Sequence, residues 1–301
     1  MPSWQNHLLR LAQFGFRAAY GRFTRLDVDQ ERRQTAAGER LFQPPAGVQV
    51  AAVSAAGVPA EWLAPAGAAP PRVALYIHGG AFYSGSLAGA RPVAAALALA
   101  GCARVLSIDY RLTPEHPFPA ALDDARAAYE WLLAGGLAPD RLVLVGDSAG
   151  GNLALALLVQ LRDRGRPLPA AAAALSPTVD LTLAGETWAT RARRDLLLNR
   201  DKIRAAVDLY LRGQDPRAPL ASPLYADLGG LPPLLLLAGS EECLLSDAAR
   251  FADKARAAGV AVTLEIGDGM QHGWHLLHGF LPEGRQALDR VGAFIQQHTA
   301  G

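Results

Sequence analysis

Residues 143–158, VLVGDSAGGNLALALL, set an apolar run against a helix-period run, with one serine and three glycines at the join. A serine there fits three roles: a helix N-cap, part of a phosphate cradle of backbone N–H groups, or a nucleophile on a tight strand-to-helix turn. The cradle needs a Walker lysine after the glycines, and Asn152 and Leu153 stand there instead. Gly146, Ser148 and Gly150 spell G-x-S-x-G between a strand and a helix, the context of a nucleophile elbow. The glycines leave room for a sharp turn, and the helix N-terminus behind the serine favours negative charge in front of it.

The rest of the chain sets the frame around that turn. At 301 residues, half of them hydrophobic, it can bury a large core, which predicts one globular body from 1 to 301. Twenty-nine basic against 28 acidic residues, a formal charge of +1, remove the electrostatic argument for a nucleic-acid or anionic-membrane partner. Cys102 and Cys243 offer neither a disulfide framework nor a CxxC pair, which fits a reducing compartment. No secretory signal is readable in MPSWQNHLLRLAQFGFRAAYGRF, and no apolar run reaches membrane-spanning length, so a cytoplasmic protein is expected. Trp4, Leu8, Leu11, Ala12 and Phe16 share one helical face, for which packing on the protein's own domain is the commoner outcome and membrane contact the rarer.

Six short runs, RVALYIHGG, ARVLSIDY, RLVLVGDS, PAAAALSP, PLLLLAGSEE and AVTLEIGDG, read as buried strands. Alanine-rich helical patterns alternate with them at 91–99, 121–133, 152–162 and 247–258. That alternation predicts an α/β fold, with a mostly parallel sheet, helices on both faces and ligands at the carboxyl ends of the strands. Residues 48–65 alternate as an antiparallel hairpin. Two helical, charged and aromatic stretches, about 1–45 and 180–220, stand outside the alternation and read as a lid over the sheet's carboxyl edge, or as surface decoration.

A serine hydroxyl needs a neighbouring base, and in the chain order serine, acid, histidine the base follows the last strand. His272 comes first in GDGMQHGWHLLH, on a glycine-flanked loop, whereas His275 and His278 read as residues of a following helix. A metal site on His272 and His275 lacks the H-E-x-x-H pattern and a third ligand, so no metal is expected. The acid belongs after the preceding strand, in AGSEECLLSDAAR, where Glu241, Glu242 and Asp247 compete and Asp247 suits a helix N-cap. Earlier, HGGAFYSGS at 78–86 can aim backbone N–H groups at a carbonyl oxygen, jointly with the N–H of Ala149.

Together HGGAF, DYRLTPEHPFPAALDDA, GDSAGGNLA and GMQHGW resemble the bacterial esterases similar to mammalian hormone-sensitive lipase, with matching features from about Gly47 onward. The resemblance implies an α/β-hydrolase fold with a helical cap, no cofactor, and hydrolysis of small carboxylic esters, often of short acyl chain, with homodimers common in the family. It carries Ser148 and His272 over as nucleophile and base, and Gly79, Gly80 and Ala149 as oxyanion donors. Many members place the acid four residues before a second aspartate; counting back from Asp247 lands on Cys243, which cannot serve as that acid, and the resemblance to members that carry a glutamate in a one-residue-longer loop implies Glu242 for the role. Glu242 also lies nearer the strand end than Asp247. Asp109 is expected to pair with Arg111 or cap a turn, Asp123 and Asp124 to be structural, and Asp147 to point away from the base. A non-catalytic receptor on the same fold is the alternative, against which the presence of His272 argues; an amidase or peptidase is another, because acyl-transfer machinery does not exclude amides.

Overall fold

The computed structural model describes residues 2–20, 26–39, 45–67 and 70–299, with 13–20 and 39 by backbone only. In chain order the helices are α1 Trp4–Tyr20, α2 Val28–Glu39, α3 Leu87–Gly101, α4 Ala120–Ala134, α5 Ala149–Asp163, α6 Thr187–Thr190, α7 Arg200–Leu211, α8 Leu245–Ala257 and α9 Pro282–His298. The strands are β1 Val48–Ala55, β2 Val58–Pro65, β3 Val73–Ile77, β4 Arg104–Ile108, β5 Leu142–Asp147, β6 Ala171–Leu175, β7 Leu234–Gly239 and β8 Val262–Gly267.

They form one sheet in the order β1-β2-β4-β3-β5-β6-β7-β8. The six strands expected from the apolar runs pair in parallel, and the 48–65 hairpin joins them antiparallel along β4. The two-residue side-chain period splits each buried strand between two cores. Val73, Leu75 and Ile77 of β3 face the layer of α4, α5 and α8, while Ala74 and Tyr76 face α3 and α9. Strand β8 departs from the buried reading: it is the sheet's edge, and Ile266 is exposed.

Of the two stretches outside the alternation, the described residues of the first are mostly the helices α1 and α2, whereas the second is helical only in part. Between 180 and 220 the chain forms the four-residue α6 and then α7, joined by turns. Helix α1 does not bury the expected face, since Trp4, Leu8 and Leu11 are 65%, 50% and 69% exposed and Ala12 is exposed too. Its polar side docks instead: Ser3 bonds Glu283, buried Asn6 donates to the Gly269 carbonyl, and Arg10 pairs with Glu241. The side chain of Phe16 lies outside the described residues. Among the described residues no helix is long and apolar enough to cross a membrane.

Candidate active site

Strand β5 ends at Asp147, and the chain turns directly into α5 at Ala149, which leaves Ser148 alone at the corner with φ +53° and ψ −116°. A non-glycine residue held there costs about 1–3 kcal/mol and persists only because its surroundings over-determine it. Here they do so by close packing: a side chain at Gly150 would overlap the Ile77 carbonyl oxygen, and one at Gly146 would overlap the Gly150 carbonyl. Ser148 makes no side-chain cap bond, so its hydroxyl is not used as an N-cap.

The loops after β7 and β8 bring the other two residues to this corner. His272 Nε2 lies 3.0 Å from Ser148 Oγ, and His272 Nδ1 lies 3.0 Å from Glu242 Oε2. With Nδ1–H donating to the carboxylate, Nε2 is the acceptor for the serine hydroxyl. Glu242 is fully buried, and its Oε1 accepts the Gly239 N–H at 2.9 Å. Burial works to lower the His272 pKa, but the hydrogen bond and charge of Glu242, with the charges of Asp195 and Asp147, outweigh it and leave it raised.

The competing carboxylates sit elsewhere. Glu241 turns outward to Arg10 and Arg194. Asp247 is not the N-cap of α8, which is Leu244; it lies in the first turn, where Oδ2 accepts the N–H groups of Val179 and Asp180 and Oδ1 meets Arg250. Arg111 pairs with Asp124 and not with Asp109, whose Oδ1 is 4.0 Å from His78 Nε2.

The HGG loop is built differently from its sequence reading. The Gly79 N–H donates to Asp147 Oδ1 at 3.0 Å, fastening the loop beside the elbow and committing that N–H to the carboxylate. Asp147 Oδ1 also accepts the Tyr76 hydroxyl at 2.7 Å, and Oδ2 lies 3.8 Å from Nε2 of buried His275. Burial opposes its ionisation, yet His275, Tyr76 and His78 together hold the carboxyl below its usual range. Beyond Gly79 the chain curls back so that Tyr83 and Ser84 donate to the Gly80 carbonyl. Gly80 has φ +123°, and a side chain on it would overlap the Ser84 carbonyl. Phe82 then stacks on Tyr210 of α7 at 3.8 Å, joining the loop to the 180–220 stretch.

Ser148 and His272 open into a cavity of about 560 Å³, within the usual range for small-molecule sites. Phe82, Trp188, Leu198, Ile203, Val207 and Leu276 give it apolar walls, and Glu31 and Lys202, paired at 2.6 Å, span it from α2 to α7. Sequence reasoning missed this pair, the His275 contact and the buried Asp195, because none lies in a motif and each is defined by a partner distant in the chain.

A family model described as the alpha/beta hydrolase fold matches residues 74–276. The chain is also 43% identical to an esterase of the bacterial hormone-sensitive lipase family of known crystal structure, with a TM-score of 0.93 and full coverage of both chains. It belongs to that family of α/β-hydrolase-fold esterases. It is 46% identical over 272 residues to an acetyl-hydrolase of Streptomyces hygroscopicus, covering 90% of this chain and 89% of the relative. An esterase of Acinetobacter venetianus is 38% identical over 256 residues, covering 85% and 84%. The enzyme is accordingly a carboxylic ester hydrolase.

Proposed function

We propose that Ser148, His272 and Glu242 form the catalytic triad and that the substrates are small esters of short acyl chain. The observation that carries this reading is the continuous line from Glu242 through both nitrogens of His272 to Ser148 Oγ, at 3.0 Å per link, opening into the cavity. Ser148 Oγ attacks the ester carbonyl carbon while His272 Nε2 takes its proton, and Glu242 stabilises the imidazolium. The tetrahedral oxyanion is held by backbone N–H groups of Gly80, Ala81 and Ala149. Gly79, first expected among the donors, instead fastens the loop through Asp147. Collapse breaks the ester C–O bond, and His272 returns its proton to the leaving alcohol. Water then attacks the acyl-enzyme by the same route and releases the acid.

The stretches 1–45 and 180–220 act in this reading as the lid of a single domain, α2 meeting α7 across the cavity through Glu31 and Lys202. A short acyl chain is supported by the enclosing apolar walls and by the acetyl-hydrolase relative. A cytoplasmic location is consistent with Cys102 and Cys243, neither in a disulfide, and a homodimer rests on the resemblance alone.

A panel of nitrophenyl esters of increasing acyl length, run beside an anilide, tests both chemistry and substrate. Turnover should peak at about four to six carbons, with the anilide far slower, and Ser148→Ala should lose covalent catalysis, at least about 1,000-fold in kcat, in a folded protein. A fluorophosphonate should label the wild type and miss the variant. Preference for long chains with activation at an oil interface, or labelling of both proteins, would reject the respective part.

A further inference from the structure

The turn between α6 and α7 carries a carboxylate that neither the motifs nor the triad account for. Asp195 is fully buried. Its Oδ1 accepts the N–H groups of Leu197 at 3.0 Å and Leu198 at 2.9 Å, closing a local turn, and its Oδ2 accepts the N–H of Cys243 at 2.8 Å. Cys243 directly follows Glu242. On the other side Gln271, the residue before His272, accepts the Leu196 N–H through Oε1 at 3.1 Å. One short stretch therefore grips the loop of the acid and the loop of the base, and its Leu197 and Leu198 continue into the cavity wall. A neutral acceptor would suffice to close the turn, whereas an ionised carboxylate is costly to bury unless its charge is used or fully hydrogen-bonded.

We propose that Asp195 is a positioning residue for the triad: through the Cys243 N–H it pins the loop that carries Glu242, and it locks that loop in register with the cavity wall. The inference rests on the Ser148–His272–Glu242 reading. Glu242 leans on it because its own carboxylate has the Gly239 N–H and the imidazole as partners, so its aim follows the backbone on either side. The charged groups around the imidazole come from several elements: Glu242 after β7, Asp195 from the lid stretch, and Asp147 at the end of β5 with His275 against it. Glu241 is drawn off toward Arg10 and Arg194. Asp195 thus adds negative charge on the same side of the balance as Glu242, raising the His272 pKa.

Two variants separate positioning from mere support. Asp195→Asn keeps the volume and an acceptor for the turn but sets an amide donor against the Cys243 N–H. Asp195→Ser keeps a hydroxyl acceptor for the turn and falls short of Cys243. In both, kcat for a short acyl ester should fall about 10-fold or more, and the acid limb of kcat/KM should move down by roughly half a pH unit, since His272 loses a neighbouring negative charge. Placed in a Glu242→Gln background, Asp195→Asn should change kcat by less than about 3-fold, because the loop it pins no longer presents a carboxylate. An unmoved acid limb, full multiplication of the two effects, or failure of both variants to fold by circular dichroism would make Asp195 a framework residue and overturn the proposal. Fluorophosphonate labelling distinguishes this from failure of the triad reading: labelling at Ser148 in every Asp195 variant retains the triad, and labelling elsewhere rejects it.

Discussion

Glu242 and Asp247 stand five residues apart, one in the loop after β7 and the other in the first turn of α8, and both are fully buried. They differ in what faces them. Glu242 meets an imidazole that can gain and lose a proton, whereas Asp247 meets the Arg250 guanidinium, which cannot, and the backbone N–H groups of Val179 and Asp180. Burial pushes the Asp247 carboxyl up to about 7, Arg250 works against that, and the nearby Asp180 adds to it. Burial of a carboxylate thus says nothing of its task; the partner decides. Asp247 joins α8 to the chain beyond β6, while Glu242 joins the loop after β7 to the imidazole of His272.

The largest effect that can break this contrast is on turnover. Glu242→Gln should lower kcat by roughly two to four orders of magnitude, through loss of imidazolium stabilisation and of the tautomer that leaves Nε2 an acceptor. Asp247→Asn should keep kcat/KM within about 3-fold of wild type, since no atom of Asp247 touches the imidazole. Both are measured with melting temperatures, so that a lost fold is not mistaken for lost chemistry. Collapse of activity in a folded Asp247→Asn, with Glu242→Gln nearly normal, would reverse the two roles.

The contrast also marks how far the sequence could be read. All six parallel strands and the hairpin follow from local apolar period, because β3, β5, β6 and β7 are buried on both faces and have little freedom in composition. Ser148 and His272 were legible because chain order and the glycine pattern tie each to a strand end. Glu242 needed the family resemblance to be singled out, as three carboxylates share the stretch from 241 to 247 and only the fold shows that Glu241 pairs with Arg10 and Arg194. The bond of the Gly79 N–H was not legible for a similar reason: its partner, Asp147, lies 68 residues away across β3 and β5. The outward face of α1 escaped the period argument altogether. A helix with an apolar stripe is expected to bury it, and here Asn6 and Arg10 on the polar side make the contacts instead.

A third buried carboxylate, Asp147, sharpens the comparison at intermediate size, because besides the imidazole of His275 it holds the N–H of Gly79 and the hydroxyl of Tyr76. Asp147→Ala would release the Gly79 N–H. If that N–H fastens the loop, kcat should fall about 10- to 100-fold as Gly80 and Ala81 lose their aim, with KM changed much less. Asp147→Asn, whose amide oxygen can still accept from Gly79 and Tyr76, should recover most of the loss. Were Gly79 itself an oxyanion donor, its release in Asp147→Ala would leave kcat unchanged or higher.

The smallest effect concerns stability and pH, and it belongs to Asp247. Its carboxyl titrates near 3.8 when unperturbed and at about 7 in the fold, so the sign runs opposite to that of an ion-paired surface acid. Below the lower value both states hold the proton and the group is silent. Between the two values the unfolded chain releases a proton that the folded chain keeps, so this group's contribution to stability falls as pH rises, levelling off above the folded value. Asp180, held below its usual range by Thr182 and Arg250 against the pull of burial, acts in the opposite sense and in a more acidic window. His272 is common to both proteins and cancels in their difference. Asp247→Asn cannot titrate, so whatever it loses at pH 5 by setting an amide near Arg250 should shrink by a few degrees of Tm on going to pH 8. A Tm difference that stays flat from pH 5 to 8 would mean that Arg250 keeps Asp247 ionised throughout, against the pull of burial.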